Sequence, residues 1–388
     1  MPGQHSLLSP SASKRWLECP PSARLHAKLN ERFGDQSSVY AAEGTKAHAV
    51  AELKLRLANG EINEFRYDAE RKLLGDISKE MDKNTDIYVD TVLEKLFAAR
   101  RVCEDARLFI EQRLDMTPWV PGCFGTSDAV IVSDSSLEVI DYKNGQGVPV
   151  SAVGNSQARL YALGAVNEFG SIYGFKVVRE TIVQPRLDSI TEETMSKVEL
   201  LTWGESIKAT AKLAYEGRGE FKCGEWCRFC AAKAVCKTRA TQAMSIFENA
   251  FEAPDVIPEE NLSGILKVAD LTEAWLKDVR SYAMAQALKG AIIPGFKLVR
   301  GRAPARKWKS EDEVMDQMAR AGYSQEQYME QPKLMSVSVL EKSIGKTAFK
   351  ALLAGQTVQG EPALSLVPED DKREEYSSAD AAFADLAE

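Results

Sequence analysis

The segment Gly125–Gly147, GTSDAVIVSDSSLEVIDYKNGQG, constrains the fold more than any other stretch of this chain. Two apolar, β-branched runs, Gly125–Val132 and Leu137–Lys143, flank the turn-rich Ser133–Ser136, a pattern that predicts a hairpin. Strand side chains alternate, so Leu137, Val139, Asp141 and Lys143 share one face, and Ile140 and Tyr142 share the other. An acid and a base therefore end an otherwise apolar strip. Burying such a pair is costly unless the charges are paired or hold a metal. Asp128, on the preceding strand, can reach the same spot across the hairpin. Two carboxylates and a lysine at one sheet end suit a divalent-cation site, with the lysine near an attacking water or a phosphate oxygen. An ordinary surface ion pair on a hairpin is the plainer alternative.

Periodicity places this hairpin in a mixed α/β core. Residues 41–59 read as a helix that Gly60 ends, and Ile77–Arg101 as a second, with Val89, Val92, Leu93 and Leu96 on its apolar face. The strand Arg107–Leu114 precedes the hairpin, across the turn-rich Pro118–Gly122. After it, Ser151–Glu168 reads as a crossover helix, Phe175–Gln184 as a strand and Thr191–Glu216 as a long helix. Glu192 and Glu193 then fall in a first turn, where the helix dipole favours acids. Pro254–Pro258 reads as a linker and Glu259–Lys289 as a helix. Ser310 and Glu313 form a capping box for a helix running to Gly322. The expected division is a domain of residues 1–245, a mainly helical region 259–366, and an acidic, partly disordered tail 367–388.

Composition narrows the class. With 388 residues, 44% of them apolar and 27% charged, the chain is neither collagen-like nor wholly disordered. A net charge of −8 argues at first against a nucleic-acid-coating protein. Most of that charge, however, comes from the eight acids and two bases of residues 367–388. No stretch resembles a signal peptide or a membrane span, so the cytoplasm, with reduced thiols and no membrane partner, is the expected setting.

Reduced thiols make the cysteines informative. Cys103 and Cys123 stand alone and read as small buried or half-buried residues. Cys223, Cys227, Cys230 and Cys236 fall in one run, CGEWCRFCAAKAVC, and Cys19 sits far upstream in WLECPPSARL. Thiolates two to five residues apart can converge on one soft metal centre. Zinc on the four cysteines of the run, or an iron–sulfur cluster on Cys19, Cys227, Cys230 and Cys236, both satisfy the spacing.

Two further pairs are spaced one helical turn apart: His48 with Glu52, and Gln157 with Tyr161. Taken together, these residues resemble the RecB-type branch of the PD-(D/E)XK nucleases. Gly44-Thr-Lys-Ala-His48 matches the G-x-x-x-H pattern of that branch, and Gly125-Thr-Ser-Asp128 matches G-x-x-D. Asp141-Tyr-Lys143 matches (D/E)-x-K, and Gln157-Ala-Arg-Leu-Tyr161 matches Q-x-x-x-Y. All four occur in the family's order. Cys19-Pro20 and the spacing of Cys227, Cys230 and Cys236 resemble the AddB-like staple that closes such a domain around a 4Fe–4S cluster. The likeness spans about residues 6–240, and the whole chain resembles phage-encoded RecB-like proteins.

The resemblance implies a restriction-endonuclease-like mixed sheet flanked by helices, and a Mg²⁺- or Mn²⁺-dependent deoxyribonuclease, expected to be an exonuclease. His48, Asp128 and Asp141 would be the metal ligands. Lys143 would be the catalytic lysine, and Gln157 and Tyr161 would position the strand. Cys19, Cys227, Cys230 and Cys236 would hold the cluster, with Cys223 a spare thiol. Glu52 would steady His48 or serve a second metal. Expected partners are DNA and phage replication or recombination proteins such as a single-strand-binding protein, in the host bacterial cytoplasm. Separately, GFKLVRGRAPARKWK gathers Lys297, Arg300, Arg302, Arg306, Lys307 and Lys309 with no intervening acid, between Phe296 and Trp308. Such a stretch can grip phosphates while an aromatic stacks on a base. The rival readings are a nuclease fold that only binds DNA or protein, and a redox-responsive iron–sulfur protein.

Overall fold

The computed structural model describes residues 6–33, 39–248, 259–330, 333–358, 360–368, 371, 373–374 and 376. They fall into two compact units, Met1–Trp275 and Leu276–Glu388. In the first, α1 (Ser13–Glu18), α2 (Ser22–Phe33), α3 (Val39–Ala58), α4 (Glu64–Leu73) and α5 (Lys79–Val102) precede the sheet. The Ser78 hydroxyl caps α5 by accepting the Met81 N–H, with Glu80 and Asp82 in the first turn and Arg100 and Arg101 in the last. β1 (Arg107–Asp115), β2 (Phe124–Val132) and β3 (Ser136–Tyr142) form an antiparallel meander. The crossover helix α6 (Ser156–Phe169) returns the chain to β4 (Val177–Gln184), parallel to β3, and β5 (Ser189–Ser196) completes a five-stranded mixed sheet of order β1-β2-β3-β4-β5.

Every residue of β3 is buried, as befits a central strand covered on both faces. Leu137 and Val139 pack with α6 and with α7 (Lys197–Glu216) in one apolar layer, while Ile140 and Tyr142 pack with α3 and α5 in the other. The alternation expected of this strand is therefore present. α6 lies very close to the sheet: a Cβ at Gly164 would come within 2.6 Å of the Met116 sulfur and 2.8 Å of Leu114. After α7 the cysteine run leads through a short 3-10 turn, Glu225–Phe229, into α8 (Lys237–Glu248), and α9 (Glu259–Leu288) follows.

Two expected helix starts need correction. Thr191–Ser196 is strand, not the start of a helix: Ile190, Thr191 and Thr194 are β-branched and pair with β4. The helix starts after Ser196, whose hydroxyl forms a capping box with Glu199. The crossover helix likewise begins at Ser156, because the Asn155 side chain accepts the Gln157 and Ala158 N–H groups. Among the described residues the region 259–366 is mainly helical and also carries six short strands that the periodicity does not announce. Its helices α10 (Glu311–Arg320), α11 (Gln325–Tyr328), α12 (Val337–Ile344) and α13 (Lys346–Leu353) accompany three antiparallel ribbons. These pair β6 (Phe296–Arg300) with β11 (Leu364–Pro368), β7 (Lys307–Trp308) with β10 (Thr357–Val358), and β8 (Met329–Glu330) with β9 (Lys333–Leu334).

The unit boundary falls within α9, at Trp275, and not in the linker expected at Pro254–Pro258, which lies outside the described residues. The proposed start of the tail at residue 367 falls inside β11, and the Tyr376 N–H donates to the Leu298 carbonyl. Residues 377–388, where partial disorder is expected, lie outside the described residues. Among the described residues no helix is long and apolar enough to cross a membrane.

Candidate functional site

The four motif segments meet at the end of β3. In continued register Tyr142 would pair with Ser127, but the β2–β3 ladder stops at the pair Ala129 and Ile140. The Tyr142 N–H instead donates to Asp128 Oδ2 at 2.7 Å, while the Lys143 N–H continues the parallel ladder to the Val183 carbonyl. A carboxylate thus replaces a backbone acceptor, which brings Asp128 to the root of Asp141. The other oxygen of Asp128 meets His48 Nδ1, on α3, at 3.0 Å.

Asp141 is clasped by its own strand end and by α6. Gln157 Nε2 donates to Asp141 Oδ1 at 3.0 Å, and Lys143 Nζ donates to Gln157 Oε1 at 3.1 Å. Lys143 Nζ also lies 2.9 Å from Asp141 Oδ2, a buried oxygen that receives no aligned hydrogen bond. Tyr161, one turn beyond Gln157, is buried against Gly125: a Cβ there would come within 2.9 Å of its ring and 3.1 Å of Pro10. That close approach explains the glycine of the G-x-x-D motif. At Gly44, by contrast, nothing lies within 4 Å of the point a Cβ would occupy, and nothing in the structure explains that glycine.

The charges at this site are strongly coupled. Burial opposes ionisation of Asp128, yet His48, the Tyr142 N–H and Lys143 together hold its carboxyl below the usual range. Burial likewise disfavours a charged imidazole, but Asp128 beside it raises His48 above the ordinary histidine value. Asp141 is raised by its burial and by Asp128, against the pull of Lys143. Lys143 is raised in spite of its burial, by Asp141 first and then Asp128.

One residue of this site was missed in the sequence. Glu111 lies on β1 opposite Asp128, with a backbone φ of 50°. Its carboxylate comes within 4.8 Å of ligand atoms of both His48 and Asp128, a group of three that could hold a metal ion. Burial, then Asp128 and Glu52, push it up to about 8. Glu111 lies on the expected strand Arg107–Leu114 but in none of the four motifs, and the only local signal is an acid directly after the apolar Leu108–Ile110 run. Glu52, expected to steady His48, instead pairs with Arg56 at 2.8 Å. Asp128 is the residue that holds the histidine.

The cysteines form a second cluster in the same unit. Cys19 ends α1, and the Lys14–Glu225 ion pair and the hydrogen bond from the Ala231 N–H to His26 Nδ1 tie the N-terminal helices to the cysteine run. Burial, then Cys227 and Cys236, push the Cys223 thiol up to about 12. Burial also raises Cys19 and Cys230, and Cys227 adds to both. The buried Arg15 guanidinium lies beside Cys230 and Cys19. All seven cysteines are free thiols, and Cys123 is buried while Cys103 is half-buried. Crowded thiols that resist ionisation fit a bound metal centre, which supplies the positive charge that thiolates need.

Within the C-terminal unit, the basic stretch is only partly free for phosphates. Trp308 is not a base-stacking platform: its ring packs on Phe349, 5.8 Å between centroids, and its Nε1 donates to the Met335 carbonyl. Arg306 pairs with Glu341 and lies over Phe349. Lys297 is half-buried on β6 near Asp371, and Arg300 lies over the Tyr376 ring. Arg302, Lys307 and Lys309 are exposed. The sequence pattern could not show that Trp308 faces a small apolar core of Val314, Met318, Leu340 and Phe349.

A solved structure described as "Crystal structure of SSO0001" aligns with 58% of this chain and 95% of its own length, at 16% identity and a TM-score of 0.22, too distant to bear on fold or function. A family described as "Protein of unknown function (DUF2800)" matches residues 5–374, nearly the whole length, and the chain belongs to that family.

Proposed function

We propose that this protein is a metal-dependent DNA nuclease of the RecB-like PD-(D/E)XK type, with a restriction-endonuclease-like core and a thiolate-held 4Fe–4S staple. The observation that carries the reading is the convergence of His48, Asp128, Asp141, Lys143 and Gln157, from helices and strands distant in sequence, into one hydrogen-bonded group. A structural ion pair on a hairpin would not need a histidine and a glutamine from two other elements.

The donor types suit Mg²⁺ or Mn²⁺: the Asp128 carboxylate and the His48 imidazole lie within 4.8 Å of each other, and the Asp141 carboxylate would join them on binding. Bound there, the ion would polarise a scissile phosphate and make its water more acidic. The chain's own residues do the rest. Lys143, held by Asp141 and Gln157, is a fixed cation for the charge that develops on the phosphate. Gln157 locks both Asp141 and Lys143, so a substrate meets an already oriented pair. Tyr161, one turn on, is buried where α6 meets Gly125 of β2. Cys19, Cys227, Cys230 and Cys236 would hold the staple, with Arg15 offsetting its negative charge.

The test is cleavage of end-labelled single- and double-stranded DNA by anaerobically purified full-length protein with Mn²⁺ or Mg²⁺. Asp141→Asn and Lys143→Ala are expected to lower kcat by about 10²–10³, and EDTA to abolish cleavage. Wild-type cleavage no faster than either variant sinks the proposal and leaves a nuclease fold that only binds.

A further inference from the structure

The pocket beside Asp128 is lined by His48, Glu52, Tyr88, Glu111 and Tyr142. Three features of it point to a ligand. His48, Glu111 and Asp128 each offer an atom within 4.8 Å of the others. Ligand atoms on one ion, at 2.0–2.6 Å from it, lie at most about 4–5 Å apart, so this group needs little contraction. Among the described residues no lysine or arginine comes within ion-pair distance of Glu111, and Arg56, the arginine whose charge reaches it, pairs with Glu52 instead. Finally, the Tyr88 hydroxyl is buried, 1% exposed, lines this pocket and has no hydrogen-bond partner. A buried hydroxyl without a partner is costly, and a water on an ion in this pocket would supply the missing partner by donating to the Tyr88 oxygen.

Asp141 stands outside that group of three: its Oδ1 accepts from Gln157, and its Oδ2 lies 2.9 Å from the Lys143 ammonium without an aligned hydrogen bond. We propose that His48, Glu111 and Asp128 form the principal divalent-cation site of this protein, with Tyr88 hydrogen-bonded to an ion-bound water, and that Asp141 contributes to chemistry more than to affinity. This deepens the nuclease reading and rests on it in one respect, the use of His48 and Asp128 as metal ligands. One imidazole nitrogen among carboxylates suits Mn²⁺ better than Mg²⁺, which prefers oxygen and retains its waters.

Mn²⁺ binding to the full chain, followed by electron paramagnetic resonance and by calorimetry, tests this without any need for turnover. Wild type is expected to bind Mn²⁺ more tightly than Mg²⁺. Glu111→Gln is expected to lose at least tenfold in Mn²⁺ affinity, Tyr88→Phe about two- to fivefold, and Asp141→Asn no more than threefold. Thermal unfolding guards against misfolding: without metal, Glu111→Gln should unfold no earlier than wild type, and its Mn²⁺-induced rise in Tm should shrink. Mn²⁺ affinity unchanged in Glu111→Gln, a larger loss in Asp141→Asn than in Glu111→Gln, or a wild type that binds no Mn²⁺ overturns the proposal. Binding that follows the expected order in a protein that cuts no DNA upholds this site and removes the nuclease reading alone.

Discussion

Asp128 has two separable duties: one oxygen faces His48 and the other closes the gap where β2 leaves β3. Asp128→Asn can still accept the Tyr142 N–H, whereas Asp128→Ala cannot. Hydrogen exchange at the Tyr142 amide should therefore stay slow in the asparagine variant and rise in the alanine variant, while both lose cleavage. Equal exchange in the two would show that this bond does not hold the strand end. Glu180 is a different kind of buried acid. Both its oxygens are buried without a hydrogen bond, and burial, with Glu193 adding, pushes it from 4.5 to about 9. An acid raised on folding stabilises fully below its unfolded value and loses that contribution as pH rises through the folded one. Glu180→Gln should thus leave stability near pH 4 little changed and increase it at pH 8 by ~1–3 kcal/mol, as chemical denaturation at the two values would read. A stabilisation independent of pH would mean that Glu180 titrates normally. Asp128, Asp141, Lys143, Gln157 and His48 were legible because strand alternation and helical spacing put them on definite faces. Glu111 and Glu180 were not, since acids on strands carry no mark of what tertiary packing sets around them.

The element scale shows where local pattern misled. Thr191–Ser196 carries the acids of a helix start, but its β-branched residues pair with β4, and tertiary pairing overrides the acidic signature. The signal that could have placed the helix is Ser196-x-x-Glu199: the Ser196 hydroxyl accepts the Glu199 N–H, and the Glu199 carboxylate accepts the Ser196 N–H. Ser196→Ala should cost ~1 kcal/mol, seen as a shifted denaturation midpoint with unchanged slope. No shift would mean that α7 is held by packing alone. The hairpin and the crossover were readable because an apolar strand between turn residues, followed by a helical period, has few other solutions. The ribbons of the C-terminal unit were not: β7, β8, β9 and β10 are two residues each, too short for alternation to register.

At the scale of the molecule, the proposed staple joins positions far apart in the chain, Cys19 on the N-terminal helices and Cys227–Cys236 after the sheet. Cys19→Ser should remove the visible absorbance expected of an iron–sulfur centre and lower the Tm of the first unit, because closing so long a loop constrains the unfolded chain. Stoichiometric zinc in place of iron, or an unchanged spectrum, would refute the assignment. The contacts that draw α1 and α2 to the cysteine run have a consequence for biosynthesis. Cys19 leaves the ribosome long before Cys227, and at 5–20 residues per second the wait is roughly 10–40 s. Throughout it the first ligand has no partners, and the N-terminal helices lack the α7 surface on which they rest. Maturation of the proposed cluster would therefore come late, after the sheet, and on that proposal a cell starved of iron would accumulate chains whose core is complete but whose two ends remain unjoined.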